Sequence, residues 1–188
     1  MIPQKVKTKF EHQLIIDHFK RMDKEDLRLR FGYNITDFML EKYINESWDA
    51  KKSQWFAVFE SPEKVIATVH VSLYNDEAEM GCTVEKEHRN LGLGNALFRR
   101  GATWASASGV RKIYMHCLSE NKAIQKIAKN NSMNVITIGS EEKEAKVSLP
   151  RIDFAAPYRD VAYDNIAIYD SIIRNQKWVF EQLFKLEK

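Results

Sequence analysis

The sequence predicts a mixed α/β fold of the α+β type, a mostly antiparallel sheet flanked by helices and followed by a C-terminal amphipathic helix. Three observations lead there. Two helical patterns precede any strand pattern, three β-rich runs then follow one another through short turns, and from Gly92 onward helix and strand patterns alternate. Strands joined by tight turns pair antiparallel, and the later alternation lays helices over the sheet. This is a layered α/β architecture and not a doubly wound parallel sheet.

From Glu11 to Arg21, the spacing of Leu14, Ile15, His18 and Phe19 predicts a helix with one buried face. Thr36 is an N-cap candidate for the next helix, with Asp37 in its first turn and Phe38, Leu40, Tyr43 and Ile44 available for burial. Gln54 to Glu60 and Lys64 to Tyr74 are predicted strands joined by the turn Ser61-Pro62-Glu63. After Asn75-Asp76 a third run, Ala78 to Val84, alternates: Ala78, Met80, Cys82 and Val84 share one face, and Glu79, Gly81 and Thr83 the other. Gly92 to Ser108 reads as a helix with Leu93, Leu97, Arg100 and Trp104 in one stripe and Gly109 just past its end. Ile113 to Leu118 reads as a strand, and Asn121 to Asn131 as a helix with Ala123, Ile124, Ile127 and Ala128 inward. Val135 to Ile138 and Lys146 to Leu149 complete the set as a strand pair around a charged turn.

The chain divides at Pro150. Residues 1–150 form one domain, and residues 151–188 a linker and an amphipathic helix. Asp153 to Tyr158 is the linker; from Asp160 the residues Tyr163, Ile166, Tyr169, Ile172, Ile173, Phe180, Leu183 and Phe184 recur at helical spacing. Charge is balanced over this segment, which argues against a helix lying on an anionic membrane. The stripe Ile166, Tyr169, Ile173 and Phe180 is therefore expected to be buried, either against its own domain or against a second subunit of a homodimer.

Composition narrows the class further. Apolar residues make up 44 % and charged residues 29 % of 188, a globular balance in a chain long enough to bury a core without metal or disulfides. Seven glycines and four prolines exclude collagen-like and low-complexity chains, and Cys82 and Cys117 alone make no disulfide framework. The longest apolar run, Trp55 to Phe59, is far too short for a membrane span, and the first lysines are not followed by an apolar signal region. A soluble cytoplasmic protein with no membrane partner is expected. The net charge of +3 is too modest to argue for nucleic acid, and aromatic residues are not interleaved with the basic ones. Between Glu85 and Lys129, however, nine Lys or Arg stand against three Glu, a basic face that suits a polyanionic small molecule or is simply a solvated helix surface. His12, His18, His70, His88 and His116 lack metal-ligand spacing, so no metal is expected.

The informative string runs from Val84 through Glu85-Lys86-Glu87-His88-Arg89-Asn90-Leu91-Gly92-Leu93-Gly94-Asn95 to Leu97. A strand ends, a short loop follows, and two glycines open a helix. The first turn of a helix offers unsatisfied N–H groups and the positive end of its dipole, Gly92 and Gly94 allow a phosphate close to the backbone, and Arg89 adds a fixed charge. Two other phosphate loops do not fit. A dinucleotide fingerprint needs glycine or alanine where Leu97 stands, and a P-loop needs a Gly-Lys-Ser/Thr triplet that the chain lacks.

The pattern Arg89-x-x-Gly92-x-Gly94, placed between a strand and a helix, resembles the acetyl-CoA pyrophosphate loop of the GNAT superfamily of N-acetyltransferases. The motif match covers Ala78 to Met133; before it only the element order is similar, and the tail beyond Pro150 matches nothing in the family pattern. The resemblance implies that the strand before the loop and the next strand splay apart around the pantetheine arm of acetyl-CoA. It implies that the main chain of Cys82, Thr83 and Val84 pairs with pantetheine. The backbone of Arg89, Asn90, Leu91, Gly92, Leu93, Gly94 and Asn95 would hold the pyrophosphate. Asn121, at the start of the following helix, matches an asparagine that contacts the cofactor arm, and it equally suits a helix N-cap.

The chain also departs from the family. The tyrosine that protonates the leaving thiolate in many members is replaced by Ala128, and the glycine–aromatic pair after it by Ser132-Met133. Some protein-lysine acetyltransferases share that alanine. Tyr114, Cys117 and Ser119 are near in sequence, but no motif assigns any of them as the acid. Glu79, on the strand lining the cofactor, is the candidate general base, because an acceptor ammonium must lose a proton before it attacks a thioester. Its plain alternative is a solvated strand glutamate. The expected function is acetyl-CoA-dependent transfer to an amine, on a small molecule or on a protein lysine or N-terminus, by direct attack. The alternative is a catalytically inactive acyl-CoA-binding regulatory or interaction module, motivated by Ala128.

Overall fold

The computed structural model describes residues 1–48, 52–139, 142–149 and 153–185. The division at residue 150 lies outside them. Seven strands form one sheet in the order β1-β2-β3-β4-β5-β7-β6. They are β1 (Gln4–Lys5), β2 (Ser53–Ser61), β3 (Lys64–Tyr74), β4 (Glu77–Val84), β5 (Lys112–Leu118), β6 (Asn134–Thr137) and β7 (Glu142–Ser148). Every neighbouring pair is antiparallel except β4–β5. The helices are α1 (Lys9–Lys20), α2 (Lys24–Phe31), α3 (Asp37–Glu46), α4 (Leu93–Ala107), α5 (Lys122–Asn130) and α6 (Ala156–Lys185).

Alternation along β2 divides the core in two. Phe56 and Val58 face one side of the sheet with Ile66, Val69, Met80, Leu97 of α4 and Ile113, whereas Trp55, Ala57 and Phe59 face the other with Ile15 and Phe19 of α1 and Ile44 of α3. All of these are buried, and a side chain such as Phe19 or Phe56 contributes about 1.5–3 kcal/mol through removal from water. Helix starts are set by capping. Thr8 and Glu11 form a reciprocal capping box on α1, and the hydroxyl of Thr36 accepts the Met39 N–H on α3.

The structure departs from the sequence expectations at definite places. Helix α2 has no counterpart among them, because Lys24–Phe31 buries only Leu27 and shows no apolar periodicity. Its signals are the caps: Asp23 accepts the Asp26 N–H, and Gly32 follows the last turn at φ +83°. Strand β1 is too short to leave a pattern. Strand β7 begins at Glu142 rather than Lys146, since its charged residues lie on a half-buried outer part of the sheet between β5 and β6. Phe38 and Ala123, expected inward, are exposed, and Gln125 takes the buried place on α5. Helix α6 starts at Ala156, ahead of Asp160, because Asp153 accepts N–H groups of the entering chain and Pro157 sits in the first turn, where no donor is needed.

For the α6 stripe the structure excludes one of the two expected burial partners, the chain's own domain. Ile166, Tyr169, Ile173 and Phe180 are 51–69 % exposed, so they do not pack on their own domain. The helix instead docks through Ala156, Ala167, Tyr163, Asp160 and Asp164, with both aspartates bound to Lys5 and to Arg100 of α4. No helix among the described residues is long and apolar enough to cross a membrane.

Candidate active site

The site begins where a strand pair stops pairing. Parallel register between β4 and β5 holds for Glu77, Ala78 and Glu79 opposite Lys112, Ile113 and Tyr114, and then ends. From Met80 to Val84 the strand keeps its β3 partners but has none on the β5 side, so main-chain donors and acceptors line a gap. The gap opens toward the loop after β4, a single 3-10 turn (Lys86–His88) and residues 89–92. Asn90 and Gly92 take left-handed φ angles of +63° and +79°, which turn the chain sharply so that α4 starts with its N-terminus toward the gap.

A groove of about 430 Å³ follows the gap between α2, the loop and α5. Cys82, Thr83, Val84, Arg89, Asn90, Gly92, Leu93, Gly94, Asn95 and Asn121 all border it. Leu91 does not: it is 64 % exposed and points away, so of the expected loop residues it alone falls outside the groove. A Cβ on Gly94 would lie 2.5 Å from Ile127 Cδ1 on the facing wall, so the bare glycine keeps the α4–α5 end of the groove open. Asn131 donates to the Asn95 carboxamide oxygen at 3.0 Å and ties these two helices at that end. Lys122 and Lys126 add charge to the α5 wall. Exposed helix N–H groups, two left-handed loop residues, an arginine and two lysines fit the anionic end of acetyl-CoA.

Arg89 is already engaged. Its Nη2 donates to Asp26 of α2 and its Nε to the Val84 carbonyl at 3.2 Å. Asn121 serves as the N-cap, accepting the Ile124 N–H at 3.1 Å, while its amide nitrogen donates to the Leu29 carbonyl at 3.1 Å. Arg28 pairs with Glu120 beside it. Helix α2 thus lies across the mouth of the gap and is held to both of its sides.

Thr83 turns its hydroxyl away from the groove into a buried chain. The Glu85 carboxylate can only accept, so neutral His18 donates from Nδ1 at 3.1 Å and accepts at Nε2 from the Thr83 hydroxyl at 2.9 Å. Thr68 then donates to Thr83 at 2.8 Å. Burial lowers the His18 pKa. Burial also works to raise the Glu85 carboxyl, but the hydrogen bonds from His18 and Arg21 outweigh it and hold it at about 2. This chain fastens α1 to the end of β4. Glu85, Glu87 and His88 bring ligand atoms within 4.8 Å, a cluster the spacing did not announce, but Glu85 is taken by Arg21 and His18, and His88 by Glu60 at 2.9 Å.

Across the sheet gap from the groove is a second cavity, of about 320 Å³, between α2, β3, β4 and β5. Glu79 lines it, half-buried, and makes no ion pair or hydrogen bond among the described residues. Arg30 and Leu29 border both cavities, which makes α2 their shared wall. A Cβ on Gly81 would lie 1.9 Å from Arg30 Nη2, so the guanidinium rests on the bare backbone of β4. Arg30 donates to the Tyr43 hydroxyl at 3.2 Å, and Tyr43 donates to His70 Nδ1 at 2.7 Å. Burial, then the charge of Arg30, lowers the His70 pKa to about 3, so the ring is a neutral acceptor.

Of the side chains considered as acids, Cys117 lines the second cavity, while Tyr114 and Ser119 do not. Burial raises the Cys117 thiol and pushes Cys82 up to about 12. Burial, then the charge of Glu79, pushes Tyr114 up to about 12. Sequence reasoning gave none of Asp26, Arg30, Tyr43 and His70 a place in the site. Asp26 and Arg30 lie on α2, which leaves no pattern, Tyr43 and His70 on elements whose pattern announces only helix or strand, and nothing in the spacing brings them together.

The arrangement matches a known family. The model of the acetyltransferase (GNAT) family matches residues 20–130. The chain belongs to the GNAT family. Solved GNAT structures share its fold at low identity. The GNAT domain of Streptomyces lividans PAT superposes with a TM-score of 0.68 at 17 % identity, over 78 % of this chain and 89 % of that one. Spermidine N-acetyltransferase from Vibrio cholerae, in complex with CoA and spermine, gives 0.61 at 16 %, over 78 % and 94 %. Ribosomal-protein-alanine N-acetyltransferase from Brucella melitensis gives 0.63 at 9 %, over 79 % and 100 %. No protein of curated function matches the chain in sequence. The GNAT match includes α2, the β4–β5 gap and the Arg89–Gly94 loop, and it ends before β6, β7 and α6.

Proposed function

We propose that this GNAT chain transfers an acetyl group from acetyl-CoA to an amine by direct attack. The observation that carries the reading is the open parallel pair β4–β5. It joins a basic groove at a helix N-terminus to a cavity holding an unpaired carboxylate.

Acetyl-CoA supplies an activated acyl thioester, whose C–S bond breaks as the amide C–N bond forms. The main chain of Cys82, Thr83 and Val84 would hold the pantetheine arm. The backbone from Arg89 to Asn95, with Leu91 contributing main chain only, would take the pyrophosphate, with Arg89 and Asn121 alongside. Glu79 removes a proton from the acceptor ammonium, directly or through one water. A free N–H of β4 in the gap donates to the oxygen that gains charge in the transition state. Holding both substrates at one gap converts a two-body encounter into an internal one. Ala128 is fully buried in α5 and has no ionisable proton, so no acid at that position assists departure: the nitrogen sheds its second proton to solvent as the amide forms, and the thiolate takes one from solvent. Residues 1–150 are the catalytic domain in this reading, and residues 151–188 a linker and helix.

Ala128 also favours a second reading, an acyl-CoA-binding module without turnover. Incubation with acetyl-CoA and a panel of amines, followed by free-thiol detection, separates the two. Thiol release that depends on an amine supports transfer. Stabilisation by CoA with no release from any amine supports the binding module.

A further inference from the structure

The second cavity is lined by one guanidinium, Arg30, and two carboxylates, Glu79 on β4 and Glu142 at the start of β7, and Arg30 pairs with neither; the Arg30–Glu79 combination selects a class of acceptor. Arg30 has no carboxylate within 4.0 Å among the described residues, and its buried Nε has no hydrogen-bond partner. Its one side-chain acceptor is the Tyr43 hydroxyl, which is fixed in turn by neutral His70. Phe31 stacks beside the guanidinium, 4.9 Å from ring centre to Cζ, and Gly81 gives it room against β4. A half-buried guanidinium held this way is oriented but lacks a counter-charge among the described residues, and its buried Nε is left without a partner. Glu79 is likewise unpaired on the β4 wall of the same cavity. Two opposite charges too far apart to neutralise each other can address different ends of one small ligand. Because Arg30 also borders the cofactor groove, an anion bound to it lies beside the point where the acceptor nitrogen attacks.

We propose that the acceptor is a free α-amino acid, its carboxylate held by Arg30 and its ammonium turned to Glu79. This deepens the acetyltransferase reading and rests on it. An amine with its carboxylate on the adjacent carbon presents both charges within one small group. A polyamine would leave the guanidinium without a counter-charge, its second ammonium having only Glu142 to turn to. The cavity volume of about 320 Å³ is at the small-molecule end of ligand sites.

The test is calorimetry on the full chain loaded with CoA, titrated with the twenty α-amino acids, with the decarboxylated amines of those that bind, and with spermidine. At least one amino acid should bind ten- to a hundredfold more tightly than its decarboxylated partner, the usual scale for a charge-assisted arginine–carboxylate contact. Arg30→Gln should erase that preference, and Arg30→Lys, which keeps the charge but not the planar fork, should keep part of it. A circular dichroism spectrum and a cooperative thermal transition of the unliganded protein, both matching wild type, check that each variant is folded. The proposal is overturned if no amino acid binds, if the decarboxylated amines bind as well, or if Arg30→Gln weakens both kinds of ligand equally. Thiol release from acetyl-CoA is followed in parallel. An amino acid that binds through Arg30 without releasing thiol overturns the transfer reading while leaving the carboxylate site in place.

Discussion

Arg100 donates from a guanidinium with no exposed surface to Asp160, and so joins α4 to α6 through a charge pair between two core-facing helices. Its other terminal nitrogen reaches Asp164 one turn further on, and Lys5 closes the cluster by binding both aspartates at 2.7 and 2.9 Å. Phe56 and Tyr163 sandwich the guanidinium with ring centres at 4.5 and 5.3 Å. Removing the carboxylates leaves a buried cation uncompensated. Asp160→Asn with Asp164→Asn should therefore cost about 3–5 kcal/mol in urea unfolding. Arg100→Met leaves the aspartates their lysine and should cost less. An equal or larger loss in Arg100→Met would show that the packing of the arginine matters more than its charge.

Ending the chain after residue 149 removes both aspartates at once and uncovers the apolar surface beneath Ala156 and Ala167. That shortened chain should aggregate or unfold at lower urea than the full chain. A soluble form of equal stability would mean that α6 contributes nothing to the domain.

Gly94 faces Ile127 across the groove. Gly94→Val fills that end and should abolish the rise in Tm that a saturating excess of CoA produces by mass action. The Ile127 side chain can give way, so the variant should remain folded. An undiminished CoA shift in folded Gly94→Val would remove the groove as the cofactor site.

Glu79→Gln keeps the shape and polarity of the cavity wall but cannot take a proton. Turnover should fall by about 10²–10⁴, with CoA affinity nearly unchanged and partial recovery at higher pH, where more acceptor amine is already neutral. A rate within twofold of wild type across that range would exclude Glu79 as the base.

Acid should weaken the fold in two steps. His70 titrates near 6.5 when unfolded and at about 3 when folded, so between those values the unfolded chain binds the extra proton and stability drops as pH falls. Glu85 is lowered from 4.5 to about 2, so its contribution is complete above 4.5 and is lost as pH falls through that interval. His70→Gln still accepts from Tyr43 but does not titrate, and should reduce the slope between pH 6.5 and 4.5, leaving the part that buried His18 contributes with the same sign. An unchanged slope there would assign it to another group.

The parts of the fold legible in the sequence are those with a period. The alternation in Ala78–Val84 and the caps around Gly92 and Asn121 follow from local chemistry, and so does the strand–loop–helix course from Val84 to Leu97. Helix α2 is silent because five of its eight residues are charged and no apolar stripe stands out, yet it carries Leu29 and Arg30, which line both cavities, and Asp26, which lines the groove. The partners of Arg30 come from α3 and β3, and only the folded chain brings Tyr43, His70 and Gly81 around one guanidinium. Which face of α6 meets the domain is likewise not readable from the spacing. Periodicity marks the apolar face, but the buried cation on α4 turns the acidic face inward.

Helix α2 is anchored across the gap by contacts at its start and its end: Asp26 on Arg89, and the Leu29 carbonyl on Asn121. Any anion that takes Arg89 does so in competition with Asp26, so filling the groove and holding α2 down are negatively linked. By reciprocity, Asp26→Asn should raise affinity for the anionic end of CoA while loosening the helix that bears Arg30. One short helix thus makes the two cavities thermodynamically dependent on each other: the occupant of one resets the free energy of filling the other.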